Sequence, residues 1–322
     1  MKRKDFLKAI TLAGAAAGAG IWNGVNVFAQ TNEAKSDECE LALVMGGEPD
    51  IMFQKAIAAF GGMGKFVKTG QKVVIKPNIG WDRKPETAAN TNPILVGEMV
   101  KQCFAAGAKE VVVFDRSVDN WQNTYKTSGI EDAVKAAGGI VVPSGDPADY
   151  REVELPQGVK LTKTKIHKAL IDCDVWFNVP VLKTHSGAKL TISLKNYMGI
   201  VYDRGPFHSS GLDQCIADCA TYIKRPALNV VDAYRAMKAN GPKGVSEADA
   251  VLMKGLIVSP DIVAADTAAM NLFNQIPNVP KMGLEPDADN KDLEIVKHIR
   301  LAEELGLGQT NLDKVKVERI RG

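Results

Sequence analysis

Short apolar runs and segments of helical periodicity alternate along most of this 322-residue chain. Short apolar runs are typical of buried strands, and here they cover residues 41–45, 73–76, 110–114, 140–142, 175–179, 228–231, 256–258 and 315–320. The helical segments between them cover residues 49–60, 92–106, 129–137, 212–224, 263–273 and 291–305. The alternation predicts an α/β fold with a mostly parallel, doubly wound (Rossmann-like) sheet that carries helices on both faces, in one body or two lobes.

The first 29 residues have the three parts of an export signal. A basic start, MKRKDFLK, precedes a weakly apolar stretch and then Val27-Phe28-Ala29, where small residues stand at the first and third positions. The start resembles a twin-arginine signal in which Lys4 replaces the second arginine. We therefore expect a signal peptide at 1–29, a flexible leader at 30–39 and an α/β domain at 40–322. The protein would be periplasmic or in the cell envelope, and not an integral membrane protein after cleavage.

The composition argues against several classes of function. The formal net charge is only +2, and no run of Lys or Arg follows the N-terminus, so we expect no nucleic-acid binding. The five cysteines lack the clustering of an iron–sulfur motif. Neither a Walker phosphate loop nor a GxGxxG after a predicted strand is present.

The segment 175–199 carries most of the functional information, because it reads VWFNVPVLKTHSGAKLTISLKNYMG. A buried apolar strand ends at Pro180, and Lys183 and His185 follow it directly. A second pair, Lys195-Asn196, closes the segment. A chain that leaves such a strand reaches the rim of the sheet, where α/β proteins bind ligands.

Polar residues also follow other predicted strands. Lys76 and Asn78 follow the second strand, Asp115 the third and Asp232 a later one. Because the carboxyl ends of parallel strands share one edge of a sheet, we expect these residues to converge with the 175–199 segment on one site.

Three of these residues indicate an anionic ligand. The ammonium groups of Lys76, Lys183 and Lys195 share a cleft favourably only with anionic partners. A carboxylate or phosphate ligand would supply the negative charge, and Asn78, Asn196 and Asp115 would be further ligand-binding residues. Alternatively, carboxylates of the protein itself would supply the negative charge.

Two kinds of chemistry fit the remaining residues. His185 could be a general acid or base, since its ordinary pKa lies near neutrality, with Lys183 and Asp232 as catalytic partners. Alternatively, His185, His208 and Asp266 could form a site of two histidines and one carboxylate for a divalent metal. The spacing matches no metal motif of defined mechanism, so the cofactor is left unknown.

Four strings resemble the domain-of-unknown-function family 362: VVIKPNIG, FNVPVLKTHSGAKLTISLKNYMG, NVVDAYRAMKANGPKG and LIVSPDIVAADTAAMNLF. The resemblance is strongest over roughly residues 70–275. It implies an α/β fold, and it implies that members are often exported or fused to a ferredoxin-like iron–sulfur module. This sequence lacks that module, which argues against a direct role in electron transfer. It also implies a shared site made of Lys76, Asn78, Lys183, His185, Lys195, Asn196, Asp232 and Asp266. It implies no particular reaction.

Two functions remain open from the sequence. The first is an enzyme, metal-assisted in one version, that acts on a small anion as a racemase, oxidoreductase or hydrolase. The second is a non-catalytic periplasmic binding or accessory protein that serves a redox partner. If the protein is an enzyme, we expect His185 to be buried and within hydrogen-bond reach of carboxylates. If it is a binding protein, we expect two lobes and a hinge.

Overall fold

A ten-stranded sheet runs through residues 39–322, the part of the chain that the computed structural model describes. The predicted signal peptide at 1–29, and all of the predicted leader except residue 39, lie outside the described residues. The strands are β1 (Leu41–Met45), β2 (Lys72–Pro77), β3 (Glu110–Val113), β4 (Ile140–Val141), β5 (Tyr150–Glu154), β6 (Lys163–His167), β7 (Val175–Val179), β8 (Val181–His185), β9 (Lys189–Thr191), β10 (Leu228–Met237), β11 (Ala250–Ser259), β12 (Met282–Gly283), β13 (Glu294–Ile295) and β14 (Val317–Arg321).

The helices alternate with these strands. They are α1 (Pro49–Ala59), α2 (Pro93–Ala105), α3 (Trp121–Thr127), α4 (Ile130–Ala136), α5 (Lys168–Asp172), α6 (Ser193–Asn196), α7 (Gly205–Ser210), α8 (Leu212–Cys219), α9 (Ile262–Phe273) and α10 (Lys297–Glu304). No helix within residues 39–322 is long and apolar enough to cross a membrane.

The main sheet has the order β14-β1-β11-β10-β7-β2-β3-β4, and β8 pairs with both β10 and β9. Its pairs are parallel except for β1–β11, β10–β11 and β8–β9, which are antiparallel. The prediction of a mostly parallel sheet is confirmed.

Helices cover both faces of this sheet. On one face Phe53 of α1, Met99 of α2 and Tyr125 of α3 are buried in one apolar cluster. On the other face α6, α8 and α9 contribute Leu194, Ile216 and Phe273 to a second cluster. Burying a large apolar side chain stabilises the fold by about 1.5–3 kcal/mol, so both layers hold the sheet between them.

The direction of winding reverses at β2. The chain proceeds from β2 to β3 and β4 on one side, and later places β7 and β10 on the other side. Pro77 lies opposite Val179 in the register of β2 with β7, so these two strands end at the same level. In an open parallel sheet, the crevice at such a reversal is where ligands bind.

Pro180 separates β7 from β8 at this edge. The strand β10 pairs with β7 at Leu228 and Asn229, and with β8 from Asp232 onward. A proline has no backbone N–H and interrupts a sheet ladder, which agrees with the change of partner at this point. The hairpins β8–β9 and β10–β11 therefore extend beyond the edge and flank the crevice.

Some predicted helix bounds were wrong. The helix predicted at 212–224 ends at Cys219, where the Thr221 hydroxyl donates to the Asp218 carbonyl and Pro226 disfavours helical backbone before it. The helix predicted at 291–305 begins at Lys297, because residues 294–295 pair with β12 as a short parallel strand.

Candidate functional site

Seven of the predicted site residues line one small cleft of about 70 Å³ at the reversal point. The strands β2 and β3, the hairpin β8–β9 and the short helix α6 bring them together. They are Lys76, Asn78, Asp115, Lys183, His185, Lys195 and Asn196.

Lys76 lies at the end of β2 and is fully buried. Its Nζ donates to Asn196 Oδ1 at 2.6 Å and lies 2.8 Å from Asp115 Oδ1 in an ion pair that is not aligned as a hydrogen bond. The other Asp115 oxygen accepts the Ile79 N–H at 2.6 Å. Burial lowers the pKa of Lys76 to about 8, although the Asp115 carboxylate opposes this shift.

Lys183 points inward from β8 and is also buried. Its Nζ donates to Asn78 Oδ1 at 3.1 Å and to the Ala89 carbonyl at 2.5 Å. Burial, and then the neighbouring charge of Lys195, lowers the pKa of Lys183 to about 7. Both hydrogen-bond acceptors are neutral, so no carboxylate directly compensates the charge of the Lys183 ammonium.

A chain of buried amides connects α6 to the sheet. Asn196 Nδ2 donates to Asn178 Oδ1 at 2.9 Å, and Asn178 Nδ2 donates to Asn229 Oδ1 at 2.9 Å. Asn78 Nδ2 donates to Asn196 Oδ1 at 3.2 Å. The sequence prediction missed Asn178 and Asn229. The signal for Asn178 was its position inside an apolar strand, since a buried polar residue is more informative than an exposed one.

Lys195 differs from the other two lysines. Its side chain is partly buried, and its ammonium has no hydrogen bond or ion pair with any of residues 39–322. Burial, and then the charges of Arg204 and Lys76, lowers the pKa of Lys195 to about 7. The hydroxyl of Thr191, in the same cleft, is buried and also lacks a hydrogen-bond partner in the described chain.

Two arginines that the sequence prediction missed complete the cleft. Arg204 Nε donates to the Met198 carbonyl at 3.1 Å, and its Nη2 donates to the Arg116 carbonyl. The Arg116 guanidinium lies 5.2 Å from the centre of the Tyr202 ring. Both lie in loops without a recognisable motif, so no pattern in the sequence pointed to them. The cleft thus contains five cationic side chains and one carboxylate, Asp115.

His185 is held by the turn that follows β8. Its Nδ1 accepts the N–H groups of Gly187 and Ala188 at 3.0 and 3.1 Å. Burial, and then Lys195 and Lys183, lowers the pKa of His185 to about 3. This pKa lies below the near-neutral range that suits a general acid or base. Because Nδ1 accepts both hydrogen bonds, the neutral ring carries its proton on Nε2. No carboxylate within residues 39–322 is hydrogen-bonded to this ring.

The predicted carboxylates Asp232 and Asp266 do not line the cleft. Asp232 accepts the backbone N–H groups of Asn92 and Tyr234 at 2.7 and 2.9 Å. Asp266 accepts those of Ser193 and Leu194 at 2.7 and 2.9 Å, and so caps α6. Burial raises the pKa of Asp232 to about 6 and that of Asp266 to about 7. Both residues hold backbone in place near the cleft.

The predicted metal site is corrected by this geometry. His208 is exposed on α7, while both oxygens of Asp266 are occupied by the N-terminus of α6. Within residues 39–322, no group of three or more His, Cys, Asp or Glu side chains could hold a metal ion. His185, His208 and Asp266 therefore do not form a metal site.

Gly199 brings the backbone against the ion pair. A Cβ at this position would overlap Asp115 Oδ1 and Lys76 Nζ. The Gly199 carbonyl also accepts the Arg116 N–H at 2.8 Å. Glycine is therefore required here for close approach.

Comparison with known proteins gives distant likenesses and one family. The lactate racemase apoprotein from Thermoanaerobacterium thermosaccharolyticum is 12% identical, with a TM-score of 0.41. The likeness covers 77% of this chain and 60% of that chain. A protein from Thermotoga maritima is 12% identical, with a TM-score of 0.40, and 69% of this chain covers 59% of it. A thylakoid-associated protein of Synechocystis sp. is 26% identical over 249 residues, or 71% of this chain and 73% of that protein. The model of the domain of unknown function DUF362 matches residues 73–271, more than half of the sequence, and the chain therefore belongs to the DUF362 family.

Proposed function

We propose that the cleft binds a small carboxylate or phosphate and that the protein is an enzyme that acts on this anion. One observation carries the proposal: the Lys195 ammonium has no hydrogen-bond or ion-pair partner among residues 39–322, although it lies in a cleft of five cationic side chains and one carboxylate. Like charges held together without an anion disfavour one another's charged forms, which agrees with the lowered pKa of Lys183 and Lys195. An anion among these groups would offset the repulsion between their charges.

The contact between His185 and a carboxylate that was expected of an enzyme is not made within residues 39–322, so the catalytic part of the proposal depends on the same lysines. A general acid or base is most effective when its pKa is close to the working pH, and groups with shifted pKa values in a cleft are candidates for catalysis. Lys183 and Lys195 meet this condition at neutral pH. His185 would donate a hydrogen bond from Nε2, while Asp232 and Asp266 would position backbone.

Two further predictions accompany this proposal. Export remains a prediction, which cell fractionation and N-terminal sequencing of the mature protein would check. A redox partner also remains a prediction, and we include neither it nor a metal in the proposed reaction.

Calorimetric titration with inorganic phosphate and with oxalate tests the binding step. We expect both anions to bind the protein in a 1:1 ratio, and Lys195→Met to weaken binding by tenfold or more. The matched control is Lys101→Met, which removes an exposed lysine of α2 and should leave binding unchanged. Equal affinity of Lys195→Met and the control would contradict the proposal.

A further inference from the structure

The three lysines of the cleft differ in what holds their ammonium groups. Lys76 is fixed by Asn196 and Asp115, and Lys183 by Asn78 and the Ala89 carbonyl. Lys195 makes no such contact with the described chain. Its neighbour Asn196 is anchored to the sheet by the amide chain, so the backbone that carries Lys195 is fixed while its amine remains available to a ligand.

We propose that Lys195 is a nucleophile that forms an imine with the carbonyl carbon of a small 2-oxo carboxylate. This inference rests on the proposed function, and it adds that the bound anion carries a ketone or aldehyde group. Lys76 keeps its positive charge beside Asp115. Together with Arg204, it would hold the carboxylate of the bound 2-oxo acid. The amine of Lys195 would then face the adjacent carbonyl carbon across the same small cleft.

The surroundings of Lys195 favour an amine that is not protonated. An ordinary lysine, with a pKa of about 10.4, is unprotonated in only about one molecule in a few thousand at pH 7. With a pKa of about 7, about half of the Lys195 side chains would be unprotonated at that pH. Desolvation next to another cationic group is a known way to activate a lysine as a nucleophile.

The step balances without an oxidant or a reductant. The lone pair of Lys195 Nζ forms a bond to the carbonyl carbon, and a proton passes from this nitrogen to the oxygen to give a carbinolamine. The C–O bond then breaks, the oxygen leaves as water with a second proton, and a C=N bond forms. Lys183 lines the same cleft, and the neighbouring charge of Lys195 contributes to its lowered pKa. It would donate the proton that leaves with the oxygen and take up the proton that the iminium nitrogen releases. The net change is loss of one water for each imine.

Reductive trapping tests the inference. The mature protein is incubated with pyruvate and sodium cyanoborohydride at pH 7, and the modified lysine is located by peptide mass spectrometry. We expect one reduced pyruvate adduct per chain, on Lys195, and its suppression by excess oxalate. Lys101→Met should give the same adduct as the wild type. No adduct, or adducts spread over exposed lysines, would overturn the inference.

Two variants separate imine formation from anion binding. Lys195→Arg keeps the positive charge but has no amine that forms a stable imine, so it should bind oxalate and give no adduct. Lys195→Met should lose both properties, with the far-ultraviolet circular dichroism spectrum as the check on folding. Oxalate binding by a wild-type protein that forms no adduct would overturn the imine alone. If the wild-type protein neither binds oxalate nor forms the adduct, the proposed function would be overturned as well.

Discussion

Lys76 Nζ and Asn196 Oδ1 lie 2.6 Å apart and join β2 to α6 across 120 positions of the sequence. The bond is buried, and Lys76 lies 2.8 Å from Asp115 as well. Three segments of the site therefore meet at one ammonium group. A buried charge of this kind is strongly destabilising if its partner is removed, because the remaining charge is left without compensation.

Asp115→Asn should lower the free energy of unfolding by about 3–5 kcal/mol, since it leaves the Lys76 ammonium buried without an anion. Adding Lys76→Met to this variant should recover part of the loss, with a coupling energy of about 0.5–3 kcal/mol between the two positions. Urea unfolding of the wild type, both single variants and the double variant at pH 7 measures the coupling.

The pair Lys72–Glu110 provides the matched control, because it joins the same two strands, β2 and β3, at the protein surface. Its charged atoms lie 3.4 Å apart and both side chains are exposed. Lys72→Met and Glu110→Gln should each change stability by less than about 1 kcal/mol. If the buried and exposed pairs gave equally small effects, Lys76 and Asp115 would not be the electrostatic centre of the site.

Gly199→Ala should destabilise the protein by about 1–3 kcal/mol, because overpacking forces neighbouring groups to move. The added methyl would displace Asp115 Oδ1 and Lys76 Nζ, so anion binding should weaken too. Gly64→Ala is the control, since a Cβ at Gly64 has no neighbour within 4 Å. Urea unfolding and oxalate titration of both variants check the prediction, and similar results for the two would speak against it.

The convergence of Lys76, Asp115 and Lys183 could be predicted from the sequence, because strand ends of a parallel sheet share an edge whatever the order of the strands. The direction of each side chain could not. Asp232 follows the same strand-end pattern, yet its carboxylate binds the Asn92 N–H instead of facing the cleft. A local pattern contains no information about which distant backbone group a side chain will reach.

The cationic excess of the cleft was only partly predictable for the same reason. Lys195 lies in a recognisable segment, whereas Arg204 is placed by the backbone carbonyl of Met198, six residues before it, and by that of Arg116 in a distant loop. The metal hypothesis failed because spacing along the chain cannot show that Asp266 caps α6. Long-range hydrogen bonds, rather than periodicity, decide these positions.

His185 should stay neutral between pH 5 and pH 8, because its pKa is lowered to about 3 by burial and by two lysines. NMR of the ring should show a constant Cε1–H shift over this range and a nitrogen signal typical of the Nε2–H tautomer. His185→Asn identifies the resonance. In urea the same ring should titrate near its ordinary pKa of about 6.5. A midpoint between pH 5 and 8 in the folded protein would restore His185 as a candidate acid or base.

The stability of the folded protein should rise between pH 7 and pH 8.5 because of Lys183. Its pKa falls from 10.5 to about 7 on folding, so above pH 7 the folded state has lost a proton that the unfolded state retains. The free energy of unfolding then increases with pH by up to about 1.4 kcal/mol per unit for this group. Below pH 7 both states carry the proton, and the contribution is constant.

The measurements stop at pH 8.5 to exclude the contribution of the buried thiols to the pH dependence of stability. Burial raises the pKa of Cys103 from 9.0 to about 12, so above pH 9 this thiol makes the free energy of unfolding fall as the pH rises. Lys183→Met should therefore show a smaller slope than the wild type between pH 7 and 8.5, whereas Lys101→Met should match the wild type. Urea unfolding at four or five pH values in this range measures the slopes. Parallel lines for the wild type and Lys183→Met would mean that Lys183 stays charged on folding, and the cleft would then need an anion already at neutral pH.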